Sequence, residues 1–120
     1  GRIGDSPVIG AGTYADNNSC AVSCTGHGEY FIRHAVAFDV CARYKYLKES
    51  VEKAADYIIH TELNTNAGNG GLIAVDKLGN IAMPYNSGGM FRGFLYKEKG
   101  SPEIKKGCGI GKKIVVVGEK

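Results

Sequence analysis

The stretch Cys20-Ala21-Val22-Ser23-Cys24-Thr25-Gly26-His27-Gly28-Glu29 decides how this chain folds. Its first part, through Thr25, is a short apolar run ended by a turn signal, which predicts a buried strand. Gly26-His27-Gly28 breaks that strand, and from Glu29 onward apolar residues recur at intervals of three and four. Phe31, Ile32, Ala35, Val36, Phe38, Cys41 and Ala42 carry this helical period, with Arg33 and Arg43 toward its edges. The carboxylate of Glu29 in the first turn suits the positive end of the helix dipole.

Working toward the N-terminus, residues 1–18 are rich in glycine and polar side chains without a sustained period. They read as a loop that packs through Ile3, Val8 and Ile9. Toward the C-terminus, a second helix is expected from about Ser50 to Glu62, with Val51, Ala54, Ala55, Ile58 and Ile59 as its apolar stripe. Glu49 and Lys53 are spaced as a favourable i,i+4 pair. Residues 64–71 read as a loop. Two strands then follow, Leu72-Ile73-Ala74-Val75 and Ile81-Ala82-Met83, joined by a tight turn in which the Gly79-Asn80 step tolerates positive φ. A third strand is expected over residues 90–96 and a last, edge strand at Ile114-Val115-Val116-Val117. Residues 105–113 read as an exposed loop. Consecutive helices followed by a meander predict an α+β fold, with two helices on one face of a mostly antiparallel sheet.

The 120 residues fit one domain, and 43% hydrophobic with 22% charged residues are ordinary globular values. No apolar run is long enough for a membrane span, and neither end resembles a signal peptide. Gly1 in place of Met is expected to mark a processed or truncated start. The net charge of +3 comes from the tail, where residues 97–120 hold seven Lys and three Glu. No basic stripe is interleaved with aromatics, so neither nucleic acid nor membrane is an expected partner. Cys20, Cys24, Cys41 and Cys108 include no CxxC pair and no His at ligand spacing, which argues against a zinc site. Buried free thiols in a reducing compartment are expected, and with them a cytoplasmic location. No metal or cofactor is expected.

Two groups of residues suggest chemistry. Arg2 offers a planar fork for a carboxylate, and Asp5 an acceptor for an ammonium, so together they suit the head group of a free amino acid. The plain alternative is a turn at Asp5-Ser6-Pro7 with Arg2 in a surface ion pair. Thr25-Gly26-His27-Gly28 joins strand to helix, where a hydroxyl and backbone N–H groups suit an anion or a developing oxyanion, and Gly26 lets a substrate approach the backbone. The plain alternative here is a capping turn without a ligand. His27, His34 and His60 do not form a cluster, and Tyr14, Tyr85 and Phe91 read as packing residues.

Four motifs occur in order: Gly1-Arg2-Ile3-Gly4-Asp5-Ser6-Pro7, then Gly10-Ala11-Gly12-Thr13-Tyr14-Ala15, then Cys24-Thr25-Gly26-His27-Gly28-Glu29. The last is Gly71-Leu72-Ile73-Ala74-Val75-Asp76 with Met83-Pro84-Tyr85-Asn86-Ser87-Gly88-Gly89-Met90-Phe91-Arg92. The chain resembles the catalytic β subunit of the isoaspartyl peptidase/L-asparaginase family, the plant-type asparaginases, over roughly residues 1–93. These are N-terminal nucleophile hydrolases. The resemblance implies part of an αββα sandwich, and hydrolysis of the side-chain amide of asparagine or of β-aspartyl dipeptides.

It further implies that Arg2 binds the substrate α-carboxylate, that Asp5 and the Gly28 carbonyl hold the α-amino group, and that Thr25 and Gly26 form the oxyanion hole. The expected partners are an amino-acid or β-aspartyl dipeptide substrate, an α subunit, the N-terminal part of the β subunit, and a second αβ unit in a dimer. The family's nucleophile is a threonine exposed by autoproteolysis, ahead of the Gly-Arg motif, and Thr13, Thr25, Thr61 and Thr65 do not match it. The chain alone is therefore expected to be inactive. Gly88 stands where larger residues are common, and residues 94–120 diverge as a Lys- and Gly-rich tail. The alternatives are an aspartylglucosaminidase of the same family, or a non-catalytic amino-acid-binding remnant.

Overall fold

A computed structural model describes Gly4 and residues 6–26, 28–63, 68–97, 99–100, 102–110 and 115–119. The chain divides into two compact units, Gly1–Ser87 and Gly88–Lys120.

In the first unit a four-stranded antiparallel sheet runs in the order β1-β2-β3-β4. Its strands are β1 (Thr13–Ala15), β2 (Cys20–Gly26), β3 (Gly70–Asp76) and β4 (Ile81–Ala82). Between β2 and β3 lie α1 (Gly28–Arg33), α2 (Val36–Tyr46) and α3 (Val51–Tyr57), the last continued by a π-helical turn over Ile58–Leu63. The expected α+β class holds. Strand alternation sorts the sheet into two faces. Cys20, Val22, Cys24, Leu72, Ala74 and Ala82 point inward and share one core with Phe31, Val36, Ala37, Val40, Val51, Ala54, Ile58 and Ile59. Ala21, Ser23, Thr25, Ile73 and Val75 point outward and are exposed.

The helical period starting at Glu29 does not produce one helix. α1 ends at Arg33, and Ala35 takes a left-handed conformation (φ 46°) before α2 begins. No side chain caps α2; instead the N–H groups of Ala37 and Phe38 donate to the carbonyls of Ala11 (3.0 Å) and Gly10 (2.9 Å). Those carbonyls satisfy first-turn donors that have no intrahelical partner. The partners come from a loop far upstream, so no local signal announced the break. In that loop Val8 and Ile9 are exposed rather than packed, and Ile3 lies outside the described residues. Ile32 and Phe38 are likewise exposed on the helices.

β1 also lies in the segment read as loop. Cys24 N–H donates to the Gly12 carbonyl at 2.9 Å, which continues the pairing of β1 with β2. The i,i+4 pair of Glu49 with Lys53 gives way to a longer-range one. Arg43 donates to Glu49 from Nε (3.1 Å) and Nη2 (3.0 Å) while its guanidinium lies 3.8 Å from the Tyr57 ring centre. A forked donor that can also stack is better satisfied there than an ammonium would be.

The second unit is a three-stranded antiparallel sheet of β5 (Arg92–Lys97), β6 (Ile104–Gly109) and β7 (Val115–Glu119), in that order. β6 corrects the expectation of an exposed loop over residues 105–113 as far as Gly109; residues 111–113 lie outside the described residues. Its composition is poor for a strand, but it is paired on both sides. Phe94 stands opposite Gly107 in this register, and its ring centre lies 5.9 Å from that of Tyr96.

The turn joining β3 to β4 shows how closely local chemistry sets register. Asp76 is buried; its Oδ1 accepts from the N–H groups of Leu78 (2.9 Å) and Asn80 (2.8 Å), and its Oδ2 accepts from Asn80 Nδ2 (2.8 Å). Gly79 takes φ +89°, as the sequence led us to expect of that turn. Asp76→Ala leaves these donors without their acceptor and should cost about 2–4 kcal/mol of stability, read from urea unfolding. A loss under about 0.5 kcal/mol would contradict this account of the turn.

Candidate active site

The site predicted from sequence divides between described and undescribed residues. Arg2, Asp5 and His27 lie outside the described residues. Thr25, Gly26 and Gly28 occupy the junction where β2 ends and α1 begins. Thr25 is on the outward, exposed face of the sheet, and Gly28 is the buried first residue of α1.

Cross-strand register explains why the Thr25 side chain is open to its surroundings. Ala21 faces Val75 and Ser23 faces Ile73, but Thr25 faces Gly71, which has no side chain to cover it. The apolar part of the outward face therefore stops one pair short of Thr25. A hydroxyl placed beside a bare strand is available as a donor to a ligand lying on that face.

Gly26 is a glycine for a reason the sequence reading did not anticipate. It pairs with Gly70, and both adopt backbone conformations that residues with side chains rarely take (φ +143° and +157°). A β-carbon on Gly26 would run into the Asn69 carbonyl oxygen, come within 2.6 Å of Gly70 Cα and within 3.0 Å of Phe31 Cε2. One on Gly70 would meet the Thr25 carbonyl oxygen, and Phe31 Cζ at 2.8 Å. The Phe31 ring, from α1, is fully buried beneath this pair of glycines. The glycine at 26 is thus required by packing against β3 and α1, whatever it does for a substrate.

Asn86 completes the junction, and the sequence reading gave it no role. Its Oδ1 accepts from Gly70 N–H at 2.7 Å, and its Nδ2 donates to the carbonyls of Gly68 (3.0 Å) and Ile59 (3.4 Å). Its backbone N–H donates to the Gly70 carbonyl at 2.9 Å. One side chain thereby holds the start of β3 in place against Gly26 and ties it to the π-helical turn. The signal was its position in the Met83-Pro84-Tyr85-Asn86 motif, but nothing local in that motif points to Gly70.

His34 sits in the turn between α1 and α2, and His60 lies in the π-helical turn with its Nε2 3.9 Å from Asp56 Oδ1. Of the aromatics read as packing, Tyr14 packs against the core, whereas Phe91 is exposed. Among the described residues no group of three or more His, Cys, Asp or Glu is placed to hold a metal ion, and no helix is long and apolar enough to cross a membrane.

Known proteins resemble most of the chain. A family model described as asparaginase matches residues 1–104. The chain belongs to the asparaginase family. The match runs past residue 93, where the motif likeness was expected to end. The isoaspartyl peptidase of Salmonella typhimurium is 51% identical over 96 residues, covering 80% of this chain and 31% of that protein. The isoaspartyl peptidase of Escherichia coli is 46% identical over 110 residues, covering 83% of this chain and 34% of that protein. The probable isoaspartyl peptidase/L-asparaginase 2 of Arabidopsis thaliana is 52% identical over 93 residues, covering 78% and 28%. The chain spans about a third of the length of these relatives.

The glycine pair makes a stability prediction that separates packing from conformation. Gly26→Ala and Gly70→Ala should each cost about 2–4 kcal/mol, because each adds a backbone clash to an unfavourable φ. Gly79→Ala has positive φ but open space around it, so it should cost only about 1 kcal/mol. Thermal unfolding of the three variants checks the ranking; equal losses at all three positions would contradict the close-approach argument.

Proposed function

We propose that this chain supplies the substrate-binding and oxyanion-stabilising part of a hydrolase acting on the side-chain amide of L-asparagine and on β-aspartyl dipeptides. The observation that carries this reading is the junction at Thr25 and Gly26, a hydroxyl beside an uncovered strand position in a chain of the asparaginase family.

In this reading an N-terminal threonine, matched by none of Thr13, Thr25, Thr61 and Thr65, attacks the amide carbon. The carbonyl oxygen gains negative charge, which the Thr25 hydroxyl and the Gly26 N–H stabilise by hydrogen bonds. Ammonia or the peptide amine leaves, an ester to the threonine remains, and water hydrolyses it to release aspartate. Arg2 pairs with the substrate α-carboxylate through its fork. Asp5 accepts from the α-ammonium, and the Gly28 carbonyl adds a second acceptor, since a carbonyl oxygen has a lone pair beyond the one a helix uses.

The outward face of the sheet supports the αββα arrangement. Ile73 and Val75 are half exposed there, flanked by the small residues Ala21 and Ser23. A second sheet layered on that face would bury them, as sandwich cores do. We assign that layer to the α subunit and the N-terminal part of the β subunit, with two αβ units forming a dimer. Cytoplasmic residence fits the buried thiols of Cys20, Cys24 and Cys41; Cys108 departs from the expectation by being exposed.

The test uses the full-length gene product. It should release ammonia from asparagine or leucine from β-aspartyl-leucine, and cleave a glycosylated asparagine poorly. Thr25→Val should lower kcat roughly 10²–10³-fold with KM little changed, as loss of an oxyanion donor does. Arg2→Ala should instead raise KM about tenfold or more, as loss of a charge-assisted bond does. Full kcat in Thr25→Val would remove Thr25 from the oxyanion site, and preferential cleavage of the glycosylated substrate would favour an aspartylglucosaminidase.

A further inference from the structure

Two cysteines that the hydrolase reading does not use face each other in the core. Cys20 opens β2 and Cys41 lies in the middle of α2, 21 positions further along the chain. Their sulfur atoms are 2.7 Å apart, and both residues are buried. The Cys41 thiol also lies 3.2 Å from the Cys20 carbonyl. Ser19 completes the cluster: its hydroxyl donates to the Cys41 carbonyl at 2.7 Å, with the Cys20 sulfur 3.7 Å away. Ser19 is itself buried, so the strand end and the helix are fastened to each other beside the two sulfurs.

This geometry is close to that of a bond. A disulfide holds its sulfurs at about 2.05 Å, so the two thiols need approach by well under an ångström, with neither backbone moved far. Cys24 lies on the same inner face of β2 as Cys20, and Cys108 is exposed and on another strand.

We propose that Cys20 and Cys41 are a redox-modification site, joined as an intramolecular disulfide when the protein meets a hydroperoxide. The Cys20 sulfur attacks a peroxide oxygen and the O–O bond breaks, giving a sulfenic acid and one molecule of water or alcohol. The Cys41 sulfur then attacks the Cys20 sulfur, the S–O bond breaks, and the departing hydroxide takes the Cys41 proton as water. Two thiols are oxidised and one hydroperoxide is reduced. The order of events follows from the hydrogen bonds: the Cys20 carbonyl accepts from the Cys41 thiol, which keeps its proton, and the contact between the sulfurs holds the Cys20 thiol below its ordinary value. The thiolate is the nucleophile, so Cys20 reacts first and Cys41 resolves.

The bond would tie the first residue of β2 to α2. Thr25 lies at the other end of the same strand, so the cross-link stiffens the element that carries the candidate site without touching it. The proposal stands on the core geometry and is independent of which amide the enzyme cleaves.

The test treats full-length protein carrying Cys108→Ser with hydrogen peroxide, followed by alkylation under denaturing conditions and a non-reducing peptide map. The expected result is a Cys20–Cys41 linked peptide pair, loss of two hydrogens from the intact mass, and alkylation of Cys24 alone among these three. The thermal midpoint should rise by several degrees and return after dithiothreitol. Alkylation of both Cys20 and Cys41 after treatment, over-oxidation of Cys20 with Cys41 still a thiol, or a bond that includes Cys24 would each overturn the proposal. The map is made on a protein with both cysteines present, so it does not depend on whether a Cys20 or Cys41 variant folds.

Discussion

The close approach of two glycines, Gly26 at the end of β2 and Gly70 at the start of β3, is the constraint on which the first unit depends. Their α-carbons leave no room for side chains on that side, and the Phe31 ring occupies the space underneath. Three elements meet at this one point: two neighbouring strands, and the helix that follows the first of them. Because Phe31 is on α1, the packing also fixes where the chain must turn after Gly26. A strand end held from two sides is a fixed feature of the fold; under the proposed function, fixed donors are what oxyanion stabilisation requires, since they need no reorganisation as charge develops.

The surrounding bonds serve the same junction. Asn86 holds Gly70 through both its side chain and its backbone, and reaches Gly68 and Ile59 with its amide. The Leu72 N–H donates to the Pro84 carbonyl at 3.0 Å, so the segment after β4 stays alongside the start of β3. At the far end of the sheet, Asp76 fixes the turn that sends the chain back along this path. The candidate site is positioned by a ladder pinned at both ends. This is a preorganised arrangement of the kind that holds functional groups on strands and helices rather than on free loops.

Much of this was legible in the sequence where the determining chemistry is local. The strand through Cys24, the turn at Gly79, and the stripes of α2 and α3 follow from side-chain period and turn residues a few positions apart. The break at Ala35 was not legible, because the groups that cap α2 are carbonyls of Gly10 and Ala11. β6 was not legible either: Lys105, Lys106 and Gly107 have little intrinsic strand preference, and pairing on both sides supplies what composition lacks. For the candidate site, the motif singled out Thr25 and Gly26 as candidates, but the packing reason for the glycine lay in Gly70 and Phe31, one remote in sequence and one on the next element. Asn86 went unread for the same reason.

Under the proposed function, Thr25 and Gly26 at the end of β2 are the oxyanion donors. The most direct measurement is a crystal structure of the full-length protein with L-aspartate bound. The account predicts a side-chain carboxylate oxygen of aspartate within hydrogen-bond reach of both Thr25 Oγ and the Gly26 N–H, with Gly26 and Gly70 still in contact over Phe31. Aspartate bound away from the β2–α1 junction, with Thr25 touching only protein, would contradict it.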